Sequence, residues 1–81
     1  MTPRLSNQFI LNGRAASRAQ WLRPQYARMP LARLERDIEW LRVTVADRFA
    51  RPQDRIIACV HLGVARAEMQ RRAIERAWRL A

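Results

Sequence analysis

The stretch PLARLERDIEWLRVTVADRFARP, residues 30–52, decides the fold that this sequence predicts. It begins and ends on a proline, and apolar residues recur between them at steps of three and four. These apolar residues are Leu31, Leu34, Ile38, Leu41, Val45 and Phe49. Such spacing lines them up along one face of an α-helix, which has 3.6 residues per turn. The pattern therefore predicts a helix over residues 30–50, with Pro30 at its first position.

A second helix is predicted over residues 52–80. Pro52 opens it, and Asp54 lies in its first turn, where a negative charge complements the helix dipole. Its apolar residues form a broad stripe, which is typical of a helix that packs on more than one neighbour. The stripe consists of Ile56, Ile57, Val60, Gly63, Val64, Ala67, Ile74, Ala77 and Trp78. Only Ala50 and Arg51 separate the two helices, and so short a link predicts an antiparallel helical hairpin.

Residues 1–29 precede the hairpin and form an N-terminal arm. Ser17 followed by Gln20 matches a capping box and predicts a short helix over about residues 17–23. Breaks are expected at Arg23 and Met29, because the residue before a proline is pushed out of the helical region. Another helical turn is expected at 24–28. The sequence thus predicts one all-α domain, made of the arm (1–29) and the hairpin (30–81).

The second helix is expected to extend past the first, at about 43 Å against about 31 Å. Its last apolar residues, Ile74, Trp78 and Leu80, then need a cover. Either the N-terminal arm or a second copy of the chain is expected to provide it, the latter completing a helical bundle as a homodimer. A homodimer also suits a chain of 81 residues, whose core is thin and whose single cysteine allows no internal disulfide.

Arginine supplies all of the positive charge. The chain has sixteen Arg, no Lys and seven acidic residues, for a net charge of +9. Residues 1–34 carry six of the arginines and no acid, so two thirds of the net charge lies there. Such a field attracts nucleic acid, acidic proteins or anionic lipid. Arginine without lysine, beside abundant alanine, is typical of GC-rich coding and predicts a GC-rich bacterium, or its phage or plasmid, as the source.

Nucleic acid is the first partner that this charge predicts. Aromatic residues are interleaved with the arginines of the arm; arginine binds phosphate, and aromatic rings stack on unpaired bases. The predicted nucleic-acid-binding residues are Arg14, Arg18, Arg23, Arg28, Trp21 and Tyr26. The alternative is that the two aromatics pack on the hairpin while the arginines are merely solvated.

A protein partner is the other prediction. The chain would then be an adaptor or inhibitor that docks a helical face on a larger protein, or a subunit of an assembly. The residues predicted for such an interface stand off the main apolar seams, or interrupt them: Trp40, Leu62, Met69, Arg71 and Trp78. Arg71 is expected to pair with an acid of a packed helix, Glu35 or Glu39.

The sequence predicts no enzyme, no cofactor and no metal. Cys59 and His61 are two residues apart, so their side chains do not face each other on a helix, and structural zinc needs four ligands. His61 is therefore expected to be structural. No run of 18 apolar residues and no secretory signal occurs, which predicts a cytoplasmic protein without a membrane partner. A mitochondrial transit peptide is the alternative interpretation of residues 1–34.

Overall fold

The computed structural model describes residues 17–80, and in that range it contains three α-helices and no strand. Helix α1 covers residues 17–27, α2 covers Leu31–Ala46, and α3 covers Pro52–Leu80. The predicted all-α class is thereby confirmed for this part of the chain. Residues 1–16 and residue 81 lie outside the described range.

Helix α1 continues through Pro24, so the break predicted at Arg23 does not occur. A proline within a helix removes one backbone hydrogen bond, here the bond to the carbonyl of residue 20. Leu22 and Tyr26, one on each side of the proline, are both buried in the core. The division into pieces at 17–23 and 24–28 was wrong because this burial outweighs the local preference. The break at Met29 is confirmed, since α1 ends at residue 27 and Pro30 precedes α2.

Helix α2 ends at Ala46, four residues before the predicted end. Asp47 leaves the helical region, with φ −73° and ψ 103°. Its carboxylate accepts a hydrogen bond of 2.9 Å from the backbone N–H of Phe49, a local bond that competes with the helical ladder. Phe49, predicted to close the apolar seam, is 87% exposed. The link to α3 is therefore the five residues 47–51 instead of two, whereas the start of α3 at Pro52 is confirmed.

The core lies where the three helices meet. Helix α2 contributes Leu34 and Leu41, as its heptad spacing predicted, and Leu34 is fully buried. Helix α3 contributes Val64 from the predicted stripe, together with three residues outside it, namely Ala58, Leu62 and Ala65. Small side chains at two of these positions let α2 approach closely, and the larger apolar residues of the predicted stripe, such as Ile56 and Ile74, are about half exposed.

Helix α1 packs along the middle of α3. Two shallow grooves run between the helices: Ala19 and Arg23 line one of them with Gly63, and Ala27 lines the other with Glu68. Arg72 marks the far end, because it bonds to the segment between α1 and α2. Beyond Arg72, residues 73–80 have no described helix beside them. Residues 17–29 of the arm thus do not cover Ile74, Trp78 and Leu80, all of which are exposed.

Candidate nucleic-acid interface

A buried ion pair holds the C-terminal end of α1 in place. Glu68 is only 7% exposed, and it accepts a hydrogen bond of 2.9 Å from Nε of Arg72. Through Nη2, Arg72 also donates to the backbone carbonyls of Tyr26, at 3.1 Å, and of Ala27 and Met29. The last carbonyls of a helix have no partner within it, and a cation there also complements the dipole. Arg72 therefore caps α1 and joins it to α3.

Arg71 forms its ion pairs within α3. It donates to Glu68 at 2.8 Å and to Glu75 at 2.9 Å, whereas the sequence predicted a pairing across an interface with Glu35 or Glu39 of a packed helix. Acids three residues before and four residues after an arginine lie on the same helical face, within reach of it. The bonds from Arg71 foremost, and also those from Arg72, lower the pKa of Glu68 from 4.5 to about 2, although burial by itself would raise it.

Tyr26 belongs to the core, which contradicts its predicted role as a surface for base stacking. Its hydroxyl shares a hydrogen bond of 3.1 Å with Nδ1 of His61, and the two rings meet edge to face. Burial raises the pKa of Tyr26 and lowers that of His61. A buried tyrosine typically places its polar tip against such a partner. The structural role predicted for His61 agrees with this contact.

Trp21 is placed quite differently from Tyr26. Its side chain is 64% exposed, on the side of α1 that faces away from the core. Arg18, Trp21, Gln25 and Arg28 follow one another at steps of three, four and three residues, and all four are exposed. Such steps keep side chains on one helical face, and Arg28 continues it into the turn after α1. These four residues are named the α1 outer face.

Two of the predicted arginines lie elsewhere. Arg23 is exposed, but it lines the two grooves between α1 and α3 and is not on the α1 outer face. Arg14 lies outside the described residues. Of the six predicted nucleic-acid-binding residues, the structure thus brings together Arg18, Trp21 and Arg28.

A second exposed tryptophan lies near this face. Trp40 of α2 is 66% exposed and, with His61, lines a largely apolar groove of about 330 Å³ between α2 and α3. Burial foremost, and also the charge of Arg18, lowers the pKa of His61, and Tyr26 of α1 bonds to the same ring, so α1 adjoins this groove. Arg33 and Arg36, seven and four residues before Trp40, are also exposed and share its helical face. The sequence predicted Trp40 as part of a protein interface, because the spatial relation between Trp40 and Arg18 appears only in the fold.

Comparisons of the chain with protein-family models, with curated proteins and with solved structures gave no match. Within residues 17–80, no three His, Cys, Asp or Glu side chains lie together as metal ligands. None of the helices described there has an apolar stretch long enough to cross a membrane.

The predicted protein interface is divided by the fold. Trp40, Arg71 and Trp78 are exposed, but Leu62 is buried and Met69 packs against the core. Leu62 and Met69 were assigned to an interface because they stand off the broad stripe of α3. They lie seven residues apart on the face of α3 that α2 covers, together with Ala58 and Ala65, so neither is available to a partner.

Proposed function

We propose that this chain is a small non-enzymatic nucleic-acid-binding protein, a regulatory or accessory factor that contacts phosphates through the α1 outer face. One observation carries the proposal: Leu22 and Tyr26 bury one side of α1 in the core, and the α1 outer face beside them carries two exposed arginines and an exposed tryptophan. Arg28 follows Arg18 by ten residues, so the two lie about 15 Å apart along the helix axis. That separation lets them contact phosphates of one strand at different positions.

The charge of these arginines is not neutralised within the described residues. Neither Arg18 nor Arg28 bonds to an acidic side chain of residues 17–80, whereas Arg71 and Arg72 are both paired with Glu68. A guanidinium without a carboxylate partner is available for the bidentate hydrogen bonds that phosphate accepts. No acid occurs between residues 17 and 34, so the sequence neighbours of the face do not repel phosphate.

Replacing Arg18 and Arg28 together with Gln is expected to weaken binding to a labelled DNA duplex and to flatten its dependence on salt. Each phosphate contact on a duplex contributes about −0.9 to the slope of log affinity against log salt concentration. Loss of two contacts should therefore change the slope by about 2. The measurement is fluorescence anisotropy across a salt series.

The matched control is the double replacement of Arg66 and Arg76 with Gln. Both residues are exposed on α3, and neither bonds to an acid within residues 17–80. The control removes the same charge from elsewhere and should change the slope by much less. Equal changes of the slope in both variants would show that the binding depends only on net charge and not on the α1 outer face. Absence of binding by the unaltered protein at physiological salt would refute the proposed function.

The scaffold that we propose for this face is the antiparallel hairpin of α2 and α3. Two hydrogen bonds support the opposite directions of the helices. At the end of α2, the carbonyl of Val45 accepts a bond of 3.1 Å from Nε of Arg55, near the start of α3. Just before α2, the carbonyl of Met29 accepts from Arg72, five turns further along α3.

Self-association is a second candidate property, favoured by the outer face of α3. Ile56, Gly63, Ala67 and Ile74 are exposed at steps of seven, four and seven residues, which is coiled-coil spacing. A Cβ built on Gly63 would meet nothing within 4 Å among the described residues, so this position has room for a close neighbour. A second copy of the chain, lying against this face, would supply that neighbour and cover the exposed end of α3.

Replacing Ile74 with Asp is expected to convert a dimer into a monomer, because a carboxylate would enter the apolar interface. Ile74 is half exposed in the single chain, so the helical circular dichroism should stay unchanged. Sedimentation velocity over a range of concentrations measures the outcome. Val43→Asp, at an exposed position of α2, is the control and should remain dimeric. A monomeric unaltered protein at every concentration would eliminate self-association.

A further inference from the structure

All three tryptophans of the chain have exposed side chains. Trp21 lies on α1, whose Tyr26 bonds to the same His61 that lines the groove with Trp40, whereas Trp78, 77% exposed, lies in the part of α3 that extends beyond the other helices. Indole is among the largest apolar side chains, and leaving it in water forfeits the stabilisation that burial would provide. Two exposed indoles on one basic side therefore indicate a ligand with flat apolar surfaces.

Each of these two tryptophans has arginines at helical spacing. Arg18 precedes Trp21 by three residues, and Arg36 precedes Trp40 by four. Residues three or four apart are neighbours on a helix surface, about one turn from each other. Each pair thus offers a flat aromatic ring and a guanidinium to the same part of a ligand. Nucleotides have the matching chemistry, with a base that stacks and a phosphate that accepts hydrogen bonds.

The arrangement suits unpaired bases better than a duplex. In a duplex the bases stack on one another, and a protein reaches only their edges in the grooves. Edges are read by polar side chains that form hydrogen bonds, such as Arg and Gln, and the indole of Trp21 is not suited to that task. An indole on an exposed helical face can instead stack on a base that is free of its neighbours, as in single-strand recognition.

Carboxylates near the groove determine which part of a bound nucleotide can approach it. Asp54 lines the groove beside Trp40 and His61, and the charge of Asp37 adds to the effect of burial in raising the pKa of the Tyr26 hydroxyl. Phosphates are repelled from these carboxylates and attracted to the arginines on the outer surface. Bases, which carry no charge, are then directed to the tryptophans and to the apolar side of the groove.

Building on the proposed function, we infer that the ligand is an unpaired nucleic-acid strand whose bases stack on Trp21 and Trp40. Arg18, Arg28, Arg33 and Arg36 bind its phosphates. The strand passes from the α1 outer face to the rim of the groove between α2 and α3. Trp78 takes no part in this interface.

The test compares labelled oligo-dT and oligo-U, each about 20 nucleotides long, with duplexes of the same length in fluorescence anisotropy. At least one unpaired strand should bind more tightly than its duplex. Trp21→Ala and Trp40→Ala should each weaken that binding about 5- to 100-fold while changing duplex binding little. Trp78→Ala, the matched control, should leave both affinities unchanged. Trp21→Phe keeps a stacking ring and should retain most of the affinity.

The outcomes separate this inference from the proposed function. Duplex binding as tight as strand binding, with no loss in Trp21→Ala and Trp40→Ala, would overturn the unpaired strand and leave the arginine contacts standing. Equal losses in all three tryptophan variants would also overturn it, because Trp78 lies away from the interface. Failure of the unaltered protein to bind either form would remove both proposals together. Circular dichroism of each variant verifies that the fold is retained.

Discussion

Replacing Leu41 with Asp is expected to unfold the protein at 25 °C. Leu41 is buried in α2 and lies beside Ala58 of α3 in the core. A carboxylate there would lose its hydration without gaining a partner, which costs several kcal/mol. A domain this small has a total stability of only about 3–5 kcal/mol from its core. Circular dichroism measures the outcome, and loss of the helical signal in the absence of denaturant is therefore the expected result.

Val43→Asp is the matched control for this substitution. Val43 lies two residues further along the same helix and is exposed, so the new charge stays hydrated. Its effect on the free energy of unfolding should stay within about 0.5 kcal/mol. Val60→Asp is expected to lower the stability less than Leu41→Asp does, because Val60 is only partly buried. A native-like melting curve for Leu41→Asp would show that the core has been misplaced.

Replacing Glu68 with Gln is expected to lower the free energy of unfolding by about 2–4 kcal/mol, since it leaves a half-buried cation without its partner. Arg72 would keep its bonds to the carbonyls at the end of α1 but lose the carboxylate that balances its charge. Urea denaturation measures the change. Glu75→Gln is the control: Glu75 pairs with Arg71 and Arg79 on a more exposed surface, and about 0.5 kcal/mol is expected there. Equal effects of the two substitutions would exclude a special role for the buried pair.

The same carboxylate makes the stability depend on pH. The folded state lowers the pKa of Glu68 from 4.5 to about 2, so folding favours its ionised form. The resulting stabilisation is complete above about pH 4.5 and is lost as the pH falls from 4.5 through 2. Arg71 is more than half exposed, and solvent screening limits the contribution to about 1–2 kcal/mol. Urea midpoints between pH 7 and pH 2 should show this loss, and Glu68→Gln should reduce it.

The helices themselves were largely predictable from short stretches of sequence. The heptad spacing of Leu34 and Leu41 identified the buried side of α2, and Pro52 marked the start of α3. The ion pairs of Glu68 with Arg72 and of Glu75 with Arg79 followed from their separation of four residues. Errors arose where a side chain acted on the backbone of its neighbours or where packing outweighed a local preference. The carboxylate of Asp47 and the burial around Pro24 are the two examples.

Only some residues of the candidate site could be predicted from the sequence. Arginines with interleaved aromatics indicated nucleic acid, but Trp21 and Tyr26 could not be distinguished, since both lie in the same basic segment. In the structure Tyr26 bonds to His61 and Trp21 is exposed, because only one face of α1 packs against α2 and α3. The proposed role of Trp40 in binding nucleic acid could not be predicted from the sequence, since the groove beside it is formed by two helices.

The sequence by itself determined that residues 17–80 are mainly helical, where α2 and α3 begin, and that two thirds of the net charge lies in residues 1–34. Each of these properties depends on residues within a few positions of one another, or on composition alone. Only the tertiary structure decided which face of α3 is buried and which aromatic residues reach the surface. Helix α3 carries apolar residues at helical spacing on two faces, so the periodicity does not show which of the two faces is buried. The choice depends on contacts with α1 and α2, where small residues such as Ala58 and Ala65 let the helices approach and leave the larger Ile56 and Ile74 exposed.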